Sequence, residues 1–302
     1  MTYEQETQPT EVRWRLSPLR HTSRRGGEEV MGVVAVSSKH VEYRVSFGAV
    51  SRDVPTARAK ALSEMVERAT WLNVWLLLKQ LGERPRVFNS VGWAAHESVE
   101  LARWQSIAEV YERVHLETVI AGLSAGHFTR IERSAYTRQV LGESIVFVPT
   151  VLEDFSNTFI VAALLLGSST VYIGLGRGSS IGEAEGGACW ELELVRETLS
   201  APPPRKTEWF DLDRPAVDEF RALSRNPQLF RAVSHLLTNA PKLRPRGVEY
   251  VPLRPACLMD LTPYQPPWAK PLAKFVTVAD FNIDNTWSRT LGVEHHLLAV
   301  GS

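Results

Sequence analysis

Glu64 and Glu67 lie three residues apart, and Arg68 follows directly; a helix puts residues at that spacing on one face. Glu183 and Glu191 are eight residues apart, again nearly on one helical face. Carboxylates forced close together need a divalent cation or a raised pKa to coexist. An arginine beside them offers a phosphate a bidentate partner. Such a set suits Mg²⁺ and a nucleoside triphosphate, whereas the same E-x-x-E-R run on a solvated helix makes only surface ion pairs. The spacing by itself leaves both readings open.

The elements that must position these residues resemble each other. One segment reads YRVSFGAVSRDVPTARAKALSEMVERAT and the other VYIGLGRGSSIGEAEGGACWELELVRET. In each, a strand ends in glycine and small residues, a loop follows, and an amphipathic helix begins near an alanine. Ala57 and Ala184, Ala61 and Ala188, and Glu64 and Glu191 all stand 127 residues apart, while Gly48 and Gly176 are 128 apart. A strand, turn, helix unit is thus used twice. Packing the two units about a pseudo-twofold axis brings both sets of carboxylates into one cleft, with main-chain N–H groups of the glycine turns available to phosphates.

Around these units, VMGVVAVSS and HVEYRVSFGAV are expected to pair as strands, followed by a helix from Pro55-Thr56 to Leu78 and a second from about His96 to Leu123. Strands return at SIVFVPTVLEDF, FIVAALLL and STVYIGLG, then a helix over residues 182–199 that Ala201-Pro202-Pro203-Pro204 stops. APPPRKTEWFDLDRP is the best linker candidate; a charged helix over 217–237 and strands near 248–253 and 275–279 come after it. The Pro263–Pro271 stretch is expected to be a rigid loop without helix. Residues 1–28 are polar and are expected to form a flexible arm, with 29–200 as the duplicated core and 201–302 as the C-terminal part of the same domain.

At these residues the sequence resembles the YcaO family. The helix motif A-x-x-x-A-L-x-E-x-x-E-R is matched from Ala57 to Arg68, and the later glycine turn and E-A element by Gly174, Gly176, Gly178, Glu183-Ala184 and Glu191. VPTVLEDF is similar to the family's preceding strand, and GVEYVPLRPACLMDLTP, more loosely, to its following strand and D-x-T segment. The resemblance implies an α/β (α+β) fold with mixed sheets flanked by helices. It also implies an ATP- and Mg²⁺-dependent activation of a peptide backbone amide oxygen by phosphorylation, which yields azolines, thioamides or amidines in ribosomally made peptides. Carried over, Glu64, Glu67, Glu183 and Glu191 are associated with magnesium, and Arg68 with phosphate. The chain departs from the motif at Lys60, Gly187 and Leu194-Val195. The last pair stands where the family has E-R, and apolar side chains neither ligate Mg²⁺ nor neutralise a triphosphate. A third A-L-x-E-A-x-Q helix and a P-x-P-x-P tail are not found. The expectation is therefore a truncated YcaO-like protein with an eroded nucleotide site, no catalytic residues and no required cofactor. It would bind a precursor (leader) peptide, another maturation protein or a second copy of itself. The alternative is an active enzyme using ATP and Mg²⁺.

Composition narrows the field. The chain has 302 residues, 44% hydrophobic and 23% charged, with 34 basic against 34 acidic side chains. It can bury a core and has no basic excess for sequence-independent nucleic-acid binding. Cys189 and Cys257 lack CxxC neighbours and are expected as reduced thiols of a cytoplasmic protein. No export signal is found at the N-terminus. The uncharged run Phe159–Gly176 is long enough to span a bilayer, but Gly167-Ser168-Ser169 at its centre marks a buried hairpin instead. Gly174-Leu-Gly176-Arg-Gly178 lacks the spacing of a dinucleotide fingerprint and no phosphate loop follows. His295-His296 on a strand would point to opposite faces. Trp268, in its proline-rich loop, is a candidate peptide contact.

Overall fold

Runs of period-two apolar residues, each feeding a long helix through a short turn, recur along the chain. The computed structural model describes residues 12–24, 27–38, 41–82, 91–125, 128–152, 158–200, 210–211, 214–239, 249–251, 256–272, 274–280, 291 and 295–298. The expected linker residues 201–209, and residues 1–11, lie outside them.

The first sheet is built on β3 (Gly27–Ser38) and β4 (Val41–Ser51), an antiparallel pair. Tyr43, Val45 and Phe47 of β4 alternate inward with Val30, Val34 and Val36 of β3. On the other side of β3 lie β1 (Val12–Leu16) and β2 (Arg20–Arg24). The segment expected to be a loose arm thus adds strands. Its charged composition is that of a protected sheet edge. β10 (Phe210–Asp211) runs parallel to β4. Asp53 caps α1 (Val54–Gln80) by accepting the Thr56 N–H at 2.8 Å, with Pro55 in the first turn.

The second sheet has the order β11-β7-β8-β9, with β6 beside β7: β6 (Tyr136–Val140), β7 (Glu143–Leu152), β8 (Thr158–Leu166), β9 (Val171–Gly178) and β11 (Glu249–Val251). β7 and β8 are apolar almost throughout because both faces are covered. Val146, Val148, Ala162 and Leu164 meet α2 (Val99–Ser124) and α6 (Pro227–Asn239). Phe147, Val161, Ala163 and Leu165 meet α4 (Ile181–Ser200). Residues 159–176 form the expected buried hairpin, closed by the Gly167 N–H on Thr170 O at 2.8 Å. No helix among the described residues is long and apolar enough to cross a membrane.

The third sheet, β14-β12-β13-β5, is antiparallel: β5 (Trp93–His96), β12 (Ala256–Asp260), β13 (Phe275–Asp280) and β14 (His295–Leu298). One face, with Cys257, Met259 and Val278, packs on α1; the other, with Leu258 and Ala279, packs on α2. α1 is therefore held between the first and third sheets, and α2 between the third and second. α4 covers the second sheet. Its Trp190 returns to the start of β3, where a Cβ on Gly27 would stand 3.4 Å from the indole nitrogen.

The mixed α/β architecture expected from the sequence is present, with the strand, turn, helix unit at β4–α1 and β9–α4. β5–α2 is a third instance. The charged helix expected over 217–237 is two: α5 (Arg214–Ser224) and α6. Pro227 cannot continue the first, and Asn226 caps the second through the Gln228 N–H at 2.8 Å. α3 (Phe128–Ser134) precedes β6. The proline-rich stretch contains 3-10 turns at Thr262–Tyr264 and Lys270–Leu272. Its Trp268 packs edge-on against Trp14, 6.0 Å between centroids, as part of the core around α1.

Candidate functional site

Edge strand β9 sets the site's position. A Cβ on Gly174 would fall 2.1 Å from Ala188 O, on Gly176 2.0 Å from Ala184 O, and on Gly178 2.5 Å from the Glu183 Cβ. These glycines let the α4 backbone lie directly on the strand; they are a packing seam and not a phosphate loop. Lying so close, α4 brings the Glu191 carboxylate to the strand's unpaired edge, where Oε2 accepts the Leu175 N–H at 2.7 Å. On the opposite flank of α4, buried Glu185 accepts from Tyr136 Oη and Arg138, which pins the helix to the sheet.

Glu191 is partly open to water yet enclosed by protein. Desolvation pushes its carboxyl up to about 7; Glu112 and Glu64 add to the rise, while Arg113 and the Leu175 N–H oppose it. Glu109, on the α2 side, is pushed up to about 8, again first by desolvation, with Arg113 opposing and Glu112 adding. Glu67 on α1 is held well above the ordinary range by desolvation, then by Glu109 and Glu64, against the pull of Arg68. Arg68 donates to Glu64 Oε1 from Nη2 at 3.2 Å and Nε at 3.3 Å. Arg177 of β9 lies over the Trp104 ring at 5.2 Å, donates to Gln105 O at 3.3 Å, and stands 3.8 Å from Glu112 Oε1. The Arg113 Nε is buried and has no hydrogen-bond partner among the described residues.

Three helices and one edge strand thus gather Glu64, Glu67, Glu109, Glu112 and Glu191 with Arg68, Arg113 and Arg177. Of the residues singled out in the sequence, Glu64, Glu67, Arg68 and Glu191 belong to this group. Glu183 does not. It sits exposed at the start of α4, where Oε2 accepts from Ser179 N at 2.9 Å and Ser179 Oγ at 2.6 Å. Those bonds hold its carboxyl below the usual range, and its charged neighbour is Arg52. Glu183 is a helix-end residue. Glu109, Glu112, Arg113 and Arg177 were not anticipated, although a signal existed. Glu109-Val110-Tyr111-Glu112-Arg113 repeats the E-x-x-E-R pattern of Glu64-Met65-Val66-Glu67-Arg68.

The donor set is oxygen-rich and hard, interleaved with guanidinium groups, and fits a Mg²⁺–polyphosphate in its chemistry. No three His, Cys, Asp or Glu side chains among the described residues stand close enough to cage an ion. Mg²⁺ held with nucleotide phosphates keeps several waters and needs only one or two carboxylates.

No protein-family model and no curated protein matches the sequence. Among solved structures, a YcaO from Methanopyrus kandleri bound with AMPPCP and Mg²⁺ is similar over 88% of this chain and 85% of that one, at 14% identity and a TM-score of 0.44.

Proposed function

We propose that the cleft between α1, α2 and α4 binds Mg·ATP and that the protein activates the backbone amide of a peptide, as the sequence resemblance to YcaO enzymes implies. One observation carries the reading: carboxylates from three separate helices are drawn into a shared, poorly hydrated space with arginines between them. Desolvated carboxyls kept near neutrality cost stability unless a ligand uses them. In this reading one or two of Glu64, Glu67 and Glu191 hold the cation side, with water completing its shell, and Arg68 and Arg177 the phosphate side. The Leu175 N–H fixes the Glu191 orientation. Bound ATP would supply the phosphoryl group for the peptide amide oxygen with ADP as leaving group, and a Cys, Ser or Thr side chain of the peptide, or external sulfide, would then displace phosphate from the activated carbon. The substrate is a ribosomally made precursor peptide.

A second reading, a non-catalytic adaptor that binds such a peptide or a partner protein, is favoured by Leu194-Val195, which put apolar side chains one turn beyond Glu191 on α4. Titration calorimetry with Mg²⁺ and AMPPCP separates the two. Binding in the micromolar to submillimolar range, weakened at least about tenfold (about 1.4 kcal/mol) by Glu64→Gln and by Glu191→Gln, supports the nucleotide reading. No heat at millimolar nucleotide overturns it in favour of the adaptor.

A further inference from the structure

The glycines of β9 decide how near α4 lies, but not where it stops. Ala184 and Ala188, the helix residues set against Gly174 and Gly176, are small as well, so the seam has no large side chains that interlock along the helix axis. We infer that Glu185 is a positioning residue for Glu191: anchored to Tyr136 and Arg138 of β6, it fixes how far α4 slides along its axis and how it turns about it, and so sets the Glu191 carboxylate on the Leu175 N–H.

β6, β7, β8 and β9 lie side by side, so the anchoring strand is roughly 14 Å across the sheet from the edge that Glu191 caps. Glu185 and Glu191, six residues apart, stand about 120° apart around the helix and about 9 Å apart along it. The helix thus grips the far strand with one carboxylate and the open edge with the other, and a slide or turn that moves Glu191 off Leu175 also breaks the Glu185 bonds. The anchor is itself fixed: Tyr136 is fully buried, and its ring lies against Phe147 with 5.6 Å between centroids. Glu185 is only 5% exposed. Adhesion does not need a carboxylate there, because an apolar pair of similar volume holds a helix to a sheet as well or better; directional bonds in a desolvated place add a single setting. The other polar tie of α4 to the β6–β7 hairpin, Arg196 on Glu143 at 2.9 and 3.0 Å, is exposed and adds little.

The consequence for the cation rests on the Mg·ATP reading, and the test keeps the two apart. Unsubstituted protein, Glu185→Gln, the double variant Tyr136→Phe/Glu185→Leu and, as a control at the other end of α4, Arg196→Gln are melted without ligand and titrated with Mn²⁺ by electron paramagnetic resonance. Main-chain hydrogen exchange is followed residue by residue by NMR. The double variant replaces the polar anchor by an apolar pair and is expected to keep the melting temperature. It is nevertheless expected to exchange the Leu175 N–H at least about tenfold faster and to bind Mn²⁺ at least about tenfold more weakly. Glu185→Gln still accepts from Tyr136 Oη and is expected to retain most of both. Arg196→Gln is expected to leave both within about twofold. Leu175 exchange in the double variant equal to that of the unsubstituted protein overturns the inference. So does faster exchange spread evenly over β8, β9 and α4 with a lowered melting temperature, which is the mark of adhesion alone. Absence of Mn²⁺ binding in the unsubstituted protein overturns the Mg·ATP reading, and the Leu175 exchange still decides the role of Glu185.

Discussion

Glu191 reaches across from α4 and accepts the main-chain N–H of Leu175 at 2.7 Å, so the carboxylate is held at the open edge of β9. The approach is possible only because Gly176, next in the strand, has no side chain: a Cβ there would lie 2.0 Å from Ala184 O. Gly176→Ala must push helix and strand apart and is expected to cost about 3 kcal/mol, with loss of cation binding as Glu191 leaves its partner. Gly186, on the same helix, has nothing within 4 Å of its would-be Cβ. Gly186→Ala is expected to stabilise by roughly 0.5–1 kcal/mol through helix propensity. Denaturant melts of the two variants, moving in opposite directions, check the packing seam.

The cleft makes stability depend on pH in a definite direction. The Glu109 carboxyl, with an ordinary value of 4.5, is raised to about 8, and that of Glu191 to about 7, both chiefly by desolvation. An unfolded chain gives up these protons near 4.5, whereas the folded chain holds them until about 7 to 8. Between those limits the folded state binds more protons, so stability is fully present below the unfolded value and is lost as pH rises through the folded ones. The melting temperature is expected to fall as pH rises from 4.5 to about 8, and Glu109→Gln to flatten the slope. Bound Mg²⁺ should remove the same slope, its affinity rising over this range as protons are displaced. A melting temperature that climbs with pH in this window would contradict the buried-carboxyl geometry.

How far the sequence revealed this arrangement differs from element to element. The β3–β4 hairpin was legible because Tyr43, Val45 and Phe47 alternate in a half-buried strand, and α1 because Ala57, Ala61, Met65 and Ala69 form a helical stripe. The third sheet was not. Its strands at 93–96, 256–260, 275–280 and 295–298 are short and remote in sequence, and nothing local in a strand names a distant partner. Glu64 and Glu191 were found through a repeat aligned on glycine-ended strands. β5 ends in His96, so the same alignment passed over α2 and its E-x-x-E-R run. Glu183 was grouped with Glu191 because eight residues return nearly to one helical face. They also rise about 12 Å along the axis, enough to separate a helix end from the cleft.

Neither thiol is suited to chemistry. Cys189, half-buried on α4, is pushed up to about 11 by desolvation and then by Glu185, with Arg138 opposing, and Cys257 is fully buried in β12. At pH 8 the thiolate fraction of Cys189 should be at least about 100-fold below that of a free cysteine. Iodoacetamide is expected to leave both residues unmodified in the folded protein and to label both after denaturation, as intact mass reads directly. Rapid labelling of native Cys189 would mean that α4 is not seated as described.

Glu183 and Glu191 share a helix and, in the sequence, a motif; the structure separates their duties. The Glu183 carboxylate is engaged by Ser179 N and Oγ at the exposed start of α4, and its carboxyl lies below the ordinary range through those bonds. That contribution is present above the unfolded value and lost as pH falls through the folded one, opposite in sign to Glu191. Glu183→Gln should therefore lower the melting temperature slightly at neutral pH, no longer do so in acid, and leave Mg²⁺ and nucleotide affinity unchanged. Glu191→Gln should do the reverse: remove an enclosed carboxyl, hold or raise the melting temperature above pH 7, and weaken the cation. Melting curves at two pH values, each with and without Mg²⁺, distinguish a helix-end residue from a cleft residue. Equal loss of cation binding in both variants would return Glu183 to the site.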